Sequence, residues 1–182
     1  MVWGNRPFTV YHGTVGPWAD AIVQRQPNAI DLAKCSDDTD FGRGFYVTRI
    51  PDHAILHANQ RYDDLHDEFV RAANSSTSRR VFDPECAAMI EFEVKLEDLG
   101  ALETLAFVQP ISEWLDFVRH CRNGNQNHKM SPDSYYHVVY GPMLAPTDNS
   151  AIPDREQISF HSPLATAVLR SVGKPFRGSP RI

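Results

Sequence analysis

Residues 40–48 read Asp40-Phe41-Gly42-Arg43-Gly44-Phe45-Tyr46-Val47-Thr48. Phe45 to Thr48 is aromatic and β-branched, the composition of a short strand. A turn before a strand needs one glycine. This segment has two, on either side of a cation, and a residue without a Cβ is what lets a backbone come close to something else. Upstream, Phe8-Thr9-Val10-Tyr11 predicts another strand, running into His12-Gly13-Thr14. Two strand–glycine units with polar side chains favour a binding cleft more than either would alone.

The rest of the chain sorts around these two units. Pro17 to Arg25 predicts a short helix with proline in its first turn. Pro51 opens a helix through about Tyr62, with a second helical stretch through Ala73. Ala88 to Leu96 alternates clearly, with Ile90, Phe92, Val94 and Leu96 on one face and Glu91, Glu93 and Lys95 on the other, which predicts a half-buried strand. A short strand is expected at Leu105 to Val108. Ser112 to Arg122 is an amphipathic helix with Trp114, Leu115, Phe117, Val118 and Cys121 on its apolar side. Tyr135 to Tyr140 and Gln157 to His161 predict further strands. Residues 74–85 and 123–133 read as polar loops. Pro142 to Arg155, rich in Pro, Asp and Asn, reads as a long loop of the kind that usually carries function. Ser162 caps a last helix with Pro163 at its first position, through about Val172, and the tail from Gly173 is expected to be loose. Mostly antiparallel strands with helices between them indicate a mixed α+β fold.

The 182 residues suit a single domain, and 42% hydrophobic residues are enough for a real core. A net charge of -5 argues against bulk binding to nucleic acid or an anionic membrane. Three widely spaced cysteines, Cys35, Cys86 and Cys121, suggest reduced thiols in a cytosolic protein. The first residues carry no apolar signal region, and no run is long enough to cross a membrane. The expected location is cytoplasmic, with signal-less export left open.

Two motifs mislead. Asp40-Phe41-Gly42 occurs in kinases, but the chain has neither their Gly-rich loop nor their catalytic-loop sequence. His53 and His57 share a helical face at metal-ligand spacing, yet no third ligand accompanies them, and a surface pair is the better account, so no metal site is expected. In the late strand, Gln157, Ser159 and His161 share one face while Ile158 and Phe160 share the other. Glu156 would point away from Gln157.

Taken together, Tyr11-His12-Gly13-Thr14, the 40–48 segment, Ser112–Arg122, His137–Met143 and Glu156–Ser162 resemble, in this order, a bacterial family catalogued as domain of unknown function 3990. The resemblance covers about residues 8–172. That family is similar to the ADP-ribosyltransferase fold, a pair of split, mostly antiparallel sheets with flanking helices, and especially to its His-Tyr-Glu branch, which includes the poly-ADP-ribose polymerases. The resemblance implies an enzyme that consumes NAD as a substrate. It would break the nicotinamide–ribose bond and pass ADP-ribose to a protein, to a nucleic acid or to water. It also implies a toxin-type role, with a small antitoxin as partner.

On this resemblance, His12 bonds the adenosine ribose, Gly13 offers its backbone to the nicotinamide amide, and Thr14 supports the site. Gly42 and Gly44 keep the backbone thin beside NAD, and Tyr46 stacks on nicotinamide. Arg43 reaches the pyrophosphate or simply faces solvent. His57 replaces a second stacking aromatic. The family's catalytic glutamate falls on Gln157, which carries no charge; Glu156, next to it, needs a bulge or a one-residue slip to serve, and Asp154 is a further carboxylate. The uncharged Gln157 keeps a second expectation open, a catalytically inactive module that binds a nucleotide or a protein. A third is different chemistry on a related ADP-ribose or RNA-phosphate substrate.

Overall fold

The computed structural model describes residues 7–25, 30–75, 83–124, 128 and 135–178. The expected loops at 74–85 and 123–133 lie mostly outside the described residues. The fold is α+β, built on two sheets. In the first, β1 (Phe8–Val15) pairs antiparallel with β3 (Ala87–Val94), which also carries the short strands β7 (Arg170–Ser171) and β8 (Phe176–Arg177). The second sheet runs β2 (Phe45–Val47), β6 (Ala151–Phe160), β5 (Val138–Leu144) and β4 (Thr104–Ala106), with β4 parallel to β5.

Alternation decides what lies between the sheets. Val10 stands opposite Phe92, and Phe45 opposite Phe160, so one face of each sheet is apolar. These faces meet in the main core, with Val47, Ile90, Val94, Val138 and Ile158. Phe92 and Phe160 are completely enclosed there. Each contributes about 2–3 kcal/mol by leaving water. The outer face of the first sheet is covered by α2 (Pro51–Asn74), whose Ala58 and Tyr62 pack on Val15 and Ala87. The outer face of the second is covered by α4 (Ser112–Arg122), whose Trp114 and Val118 pack with Val139, Leu144 and Phe41. Helices α1 (Gly16–Gln24) and α5 (Pro163–Thr166) add Ala19 and Ala165 to the main core.

Several sequence expectations change. The two helical stretches after Pro51 are one continuous helix of 24 residues. Leu96 begins a short helix, α3 (Leu96–Gly100), instead of ending a strand. The expected loop 142–155 is largely the two arms of the β5–β6 hairpin. Its register slips between the pairs Pro142–Glu156 and Leu144–Ala151, so residues 152–155 bulge, and Asp154 takes a positive φ of 57°. Prolines and aspartates looked like loop residues because a bulge tolerates them as well as a loop does. The last helix stops at Thr166, after a start in which Ala165 N donates to the Ser162 hydroxyl at 3.1 Å. Beyond Gly173 the chain returns to β3 as β8, so the expected loose tail is strand at Phe176–Arg177. No helix among the described residues is long and apolar enough to cross a membrane.

Among the described residues, the two sheets touch by backbone pairing at one place. Tyr11 and Thr48 exchange N–H···O bonds of 2.7 and 2.9 Å.

Candidate functional site

The joint organises the first candidate residues. Tyr11 aims its backbone N–H and C=O at Thr48, away from β3. By the two-residue period of a strand, Gly13 aims its own groups to the same side, at the level where β1 and β2 no longer pair. The His12 side chain lies on the core face of β1 with Val10 and Thr14, toward the second sheet. Its ring stacks on Phe45 at 4.1 Å, and its Nδ1–H donates to the Tyr46 carbonyl at 2.7 Å. Burial lowers the His12 pKa to about 4, opposed by the Tyr46 carbonyl and reinforced by nearby His57. The ring is therefore neutral at pH 7. A carbonyl only accepts, so the proton sits on Nδ1 and leaves Nε2 as a lone-pair acceptor. Nε2 has no partner among the described residues. Such an atom suits a ligand hydroxyl.

Gly13 also has an internal reason to be glycine. A Cβ there would lie 2.0 Å from the Ala54 carbonyl oxygen, so it is the absence of a side chain that lets α2 press onto β1. That close approach places the start of α2 beside the joint and explains why His57 is felt by His12. His57 is itself exposed, and desolvation by the neighbouring protein, with the Arg61 charge, lowers its pKa as well. Thr14 is buried on the core side of β1, opposite Ala88, and supports packing. No group of three His, Cys, Asp or Glu side chains among the described residues could hold a metal ion.

The segment 40–44 uses its two glycines for contacts within the protein. Gly42 takes φ +77°, in a turn closed by its N–H donating to Thr39 O at 3.1 Å. Gly44 makes room for a histidine: a Cβ there would lie 2.8 Å from the His161 ring. That ring donates from Nδ1 to Arg43 O at 2.8 Å and accepts the Ser159 hydroxyl at Nε2, 2.7 Å away. Burial holds the His161 pKa at about 3. His128 donates from Nε2 to Phe41 O at 2.8 Å and accepts Tyr136 N–H at Nδ1, 3.1 Å away. Both glycines thus serve a loop clasped by the protein itself. Arg43 faces outward and pairs with Asp37.

Tyr46 completes that clasp. It shares a sheet face with Ser159, opposite to Phe45, and so points away from His12. Its hydroxyl donates to Gly42 O at 2.8 Å and accepts Phe41 N–H at 2.9 Å. Burial raises its pKa. The structure joins Tyr46 to His12 through its carbonyl and commits its side chain to the loop.

The late strand distributes its two candidates to opposite faces. Gln157 is buried on the α4 side. Its Nε2 donates to Asp40 Oδ2 at 2.6 Å. Asp40 also accepts from Leu144 N at 2.8 Å and from Arg122 Nε at 2.9 Å. Gln157 is thus a structural member of a buried hub. Glu156 lies on the same face as Ile158 and Phe160, the face that His12 shares through Phe45. No slip is required, because Glu156 pairs in register with Pro142. Its carboxylate accepts from Thr48 Oγ1 at 3.2 Å, from Arg49 N at 2.8 Å and from Arg49 Nε at 3.2 Å. Its side chain is 12% exposed. Thr48 connects this acid to the joint, since the same residue pairs with Tyr11. Beside Glu156 opens a shallow groove of about 400 Å³, lined chiefly by Phe107, Tyr140, Pro142, the bulge and Arg155. His12, Gly13 and Tyr46 do not line it.

A family model for a protein of unknown function, DUF3990, matches residues 8–153. The chain belongs to the DUF3990 family. The match runs from β1 to the bulge and includes the joint, Asp40 and the clasped loop. No curated protein and no solved structure matches the chain.

Sequence reasoning passed over Asp40, Arg49, Tyr140 and His128. Asp40 stood in the quoted segment, but nothing in linear order connects it with Arg122, Leu144 and Gln157. Arg49 could have been found from alternation, once Glu156 was placed on the face of Ile158.

Proposed function

We propose that this DUF3990 chain is an NAD-consuming enzyme of ADP-ribosyltransferase type, and that its two sheets are a divergent form of that split fold. The observation that carries this is the neutral His12, fixed with Nε2 as an acceptor, on the same face as the ordered carboxylate of Glu156 and next to the free backbone edge of Gly13. In this role His12 Nε2 accepts a ribose hydroxyl. Gly13 N–H and C=O pair with the carboxamide of nicotinamide, and His57 borders the ring.

Glu156 takes the part that the resemblance assigned to Gln157. It accepts hydrogen bonds from the nicotinamide-ribose hydroxyls and stabilises the positive charge that grows at the anomeric carbon. The carbon–nitrogen bond breaks with its electron pair moving to the ring nitrogen, and neutral nicotinamide leaves. An acceptor oxygen or nitrogen, or water, then bonds to the anomeric carbon and gives up its proton.

Calorimetric titration with NAD, followed by assay of the same sample for released nicotinamide, tests this. Binding with release is expected. Glu156→Gln should retain NAD affinity and lose about a hundredfold in release. Absence of both binding and release refutes the NAD site. A second reading is a non-catalytic nucleotide-binding module. It is favoured by the commitment of Tyr46 and both loop glycines to internal contacts, and it gains if NAD binds but nicotinamide stays attached.

A further inference from the structure

Arg49 makes three contacts with Glu156 and Tyr140, both of which line the groove. Its Nε donates to Glu156 Oε2 at 3.2 Å, its Nη2 donates to the Tyr140 hydroxyl at 3.3 Å, and its guanidinium carbon lies 5.4 Å from the centre of the Tyr140 ring. Yet its side chain is 54% exposed, against 12% for Glu156. The two partners are unequal. The carboxylate is fixed, and the cation over it is replaceable.

We propose that Arg49 is a substrate-operated latch: a dinucleotide's diphosphate draws the guanidinium off Glu156, and the uncovered Oε2 then receives the ribose hydroxyls. This rests on the NAD reading above. The exchange is favourable because guanidinium bonds a phosphate through two parallel N–H donors, where it now offers Glu156 a single Nε–H from its side chain. Glu156 does not lose its orientation when Arg49 swings away. Thr48 Oγ1 and the Arg49 backbone N–H still hold Oε1. The latch therefore confers selectivity: a ligand must carry phosphate to uncover the acid, and a nucleoside leaves it covered.

Calorimetry with ADP-ribose and with adenosine, on the wild type and on Arg49→Gln, Arg49→Lys and Tyr140→Phe, tests the latch, with folding checked by thermal melts. Arg49→Gln should weaken ADP-ribose binding tenfold or more and leave adenosine unchanged, because a charge-assisted bond is lost. Arg49→Lys should recover part of the loss. Tyr140→Phe, which removes one retaining bond, should bind ADP-ribose as well as the wild type or better. Equal ADP-ribose affinity in wild type and Arg49→Gln overturns the latch and leaves the NAD reading standing. So does an equal loss for both ligands. If Arg49→Gln fails to fold, weaker ADP-ribose binding by Tyr140→Phe overturns the latch. A wild type that binds neither ADP-ribose nor NAD overturns both readings.

Discussion

Replacing Gly13 with alanine separates packing from ligand binding. The added methyl would lie 2.0 Å from the Ala54 carbonyl oxygen and 2.8 Å from Ala58 N. Both obstacles are helix backbone, so no side chain can rotate out of the way. To regain van der Waals contact, α2 must retreat from β1 by roughly 1 to 1.5 Å. That retreat loosens Ala58 and Tyr62 from Val15 and Ala87. Overpacking alone costs about 1–3 kcal/mol, and the loosened helix adds to it, so a total near 3 kcal/mol is expected. With a urea dependence of about 2 kcal/mol per molar, the unfolding midpoint should fall by about 1.5 M. Urea melts followed by circular dichroism measure this. Gly100→Ala is the control: nothing lies within 4 Å of a Cβ there, and its midpoint should hardly move. A Gly13→Ala midpoint within about 0.3 M of wild type, on the same urea scale, would refute the packing account and leave a ligand as the reason for this glycine.

Three further outcomes follow from the geometry. Gln157→Glu brings a second carboxylate against Asp40 in a buried hub, so it should destabilise the fold by about 2–4 kcal/mol and not raise nicotinamide release; a faster, equally stable variant would return Gln157 to the reacting centre. Tyr46→Phe leaves Phe41 N–H without its acceptor, while Gly42 O keeps the Thr39 hydroxyl as donor, and thermal melts should register a loss of about 1–3 kcal/mol; an unchanged melt would show that the clasp does not depend on that hydroxyl. Acid should weaken the fold through its partly buried, neutral histidines. With His12 at about 4 and His161 at about 3, against 6.5 unfolded, the unfolded chain binds more protons as pH falls from 6.5 towards 4. Stability is therefore full above pH 6.5 and is lost on acidification through that window. His161→Gln, which cannot titrate there, should show a shallower fall, and parallel curves for the two proteins would contradict the role of that ring.

Much of the fold was legible where a single period governs a segment. The alternation of Ile90, Phe92 and Val94 identified β3, and the apolar side of Ser112–Arg122 identified α4. The hairpin was not legible, because Pro142, Pro153 and Asp154 are loop residues by local preference and become strand residues only through a bulge paired with a neighbour. The site was half legible. His12-Gly13 stood out as a unit and lies at the joint. The choice between Glu156 and Gln157 could not be made from a motif laid over neighbouring letters. It depends on which face meets the other sheet, and that is set by Phe45 packing opposite Phe160. Gly42 and Gly44 suggest, in linear sequence, room for a ligand, whereas the occupant of that room at Gly44 is His161, more than a hundred residues away in the chain.

The backbone pair at Tyr11 and Thr48, the single one between the sheets among the described residues, has a mechanical meaning. Along most sheet edges a ladder of hydrogen bonds sets the distance between strands and leaves little to side chains. Here, among the described residues, one rung joins the two sheets edge to edge, and side chains fill the space beyond it: the His12 ring on Phe45, with Phe92 and Phe160 behind. The spacing of the sheets there is thus a matter of side-chain volume. Exchanging one wedge residue for another would change it without disturbing a strand.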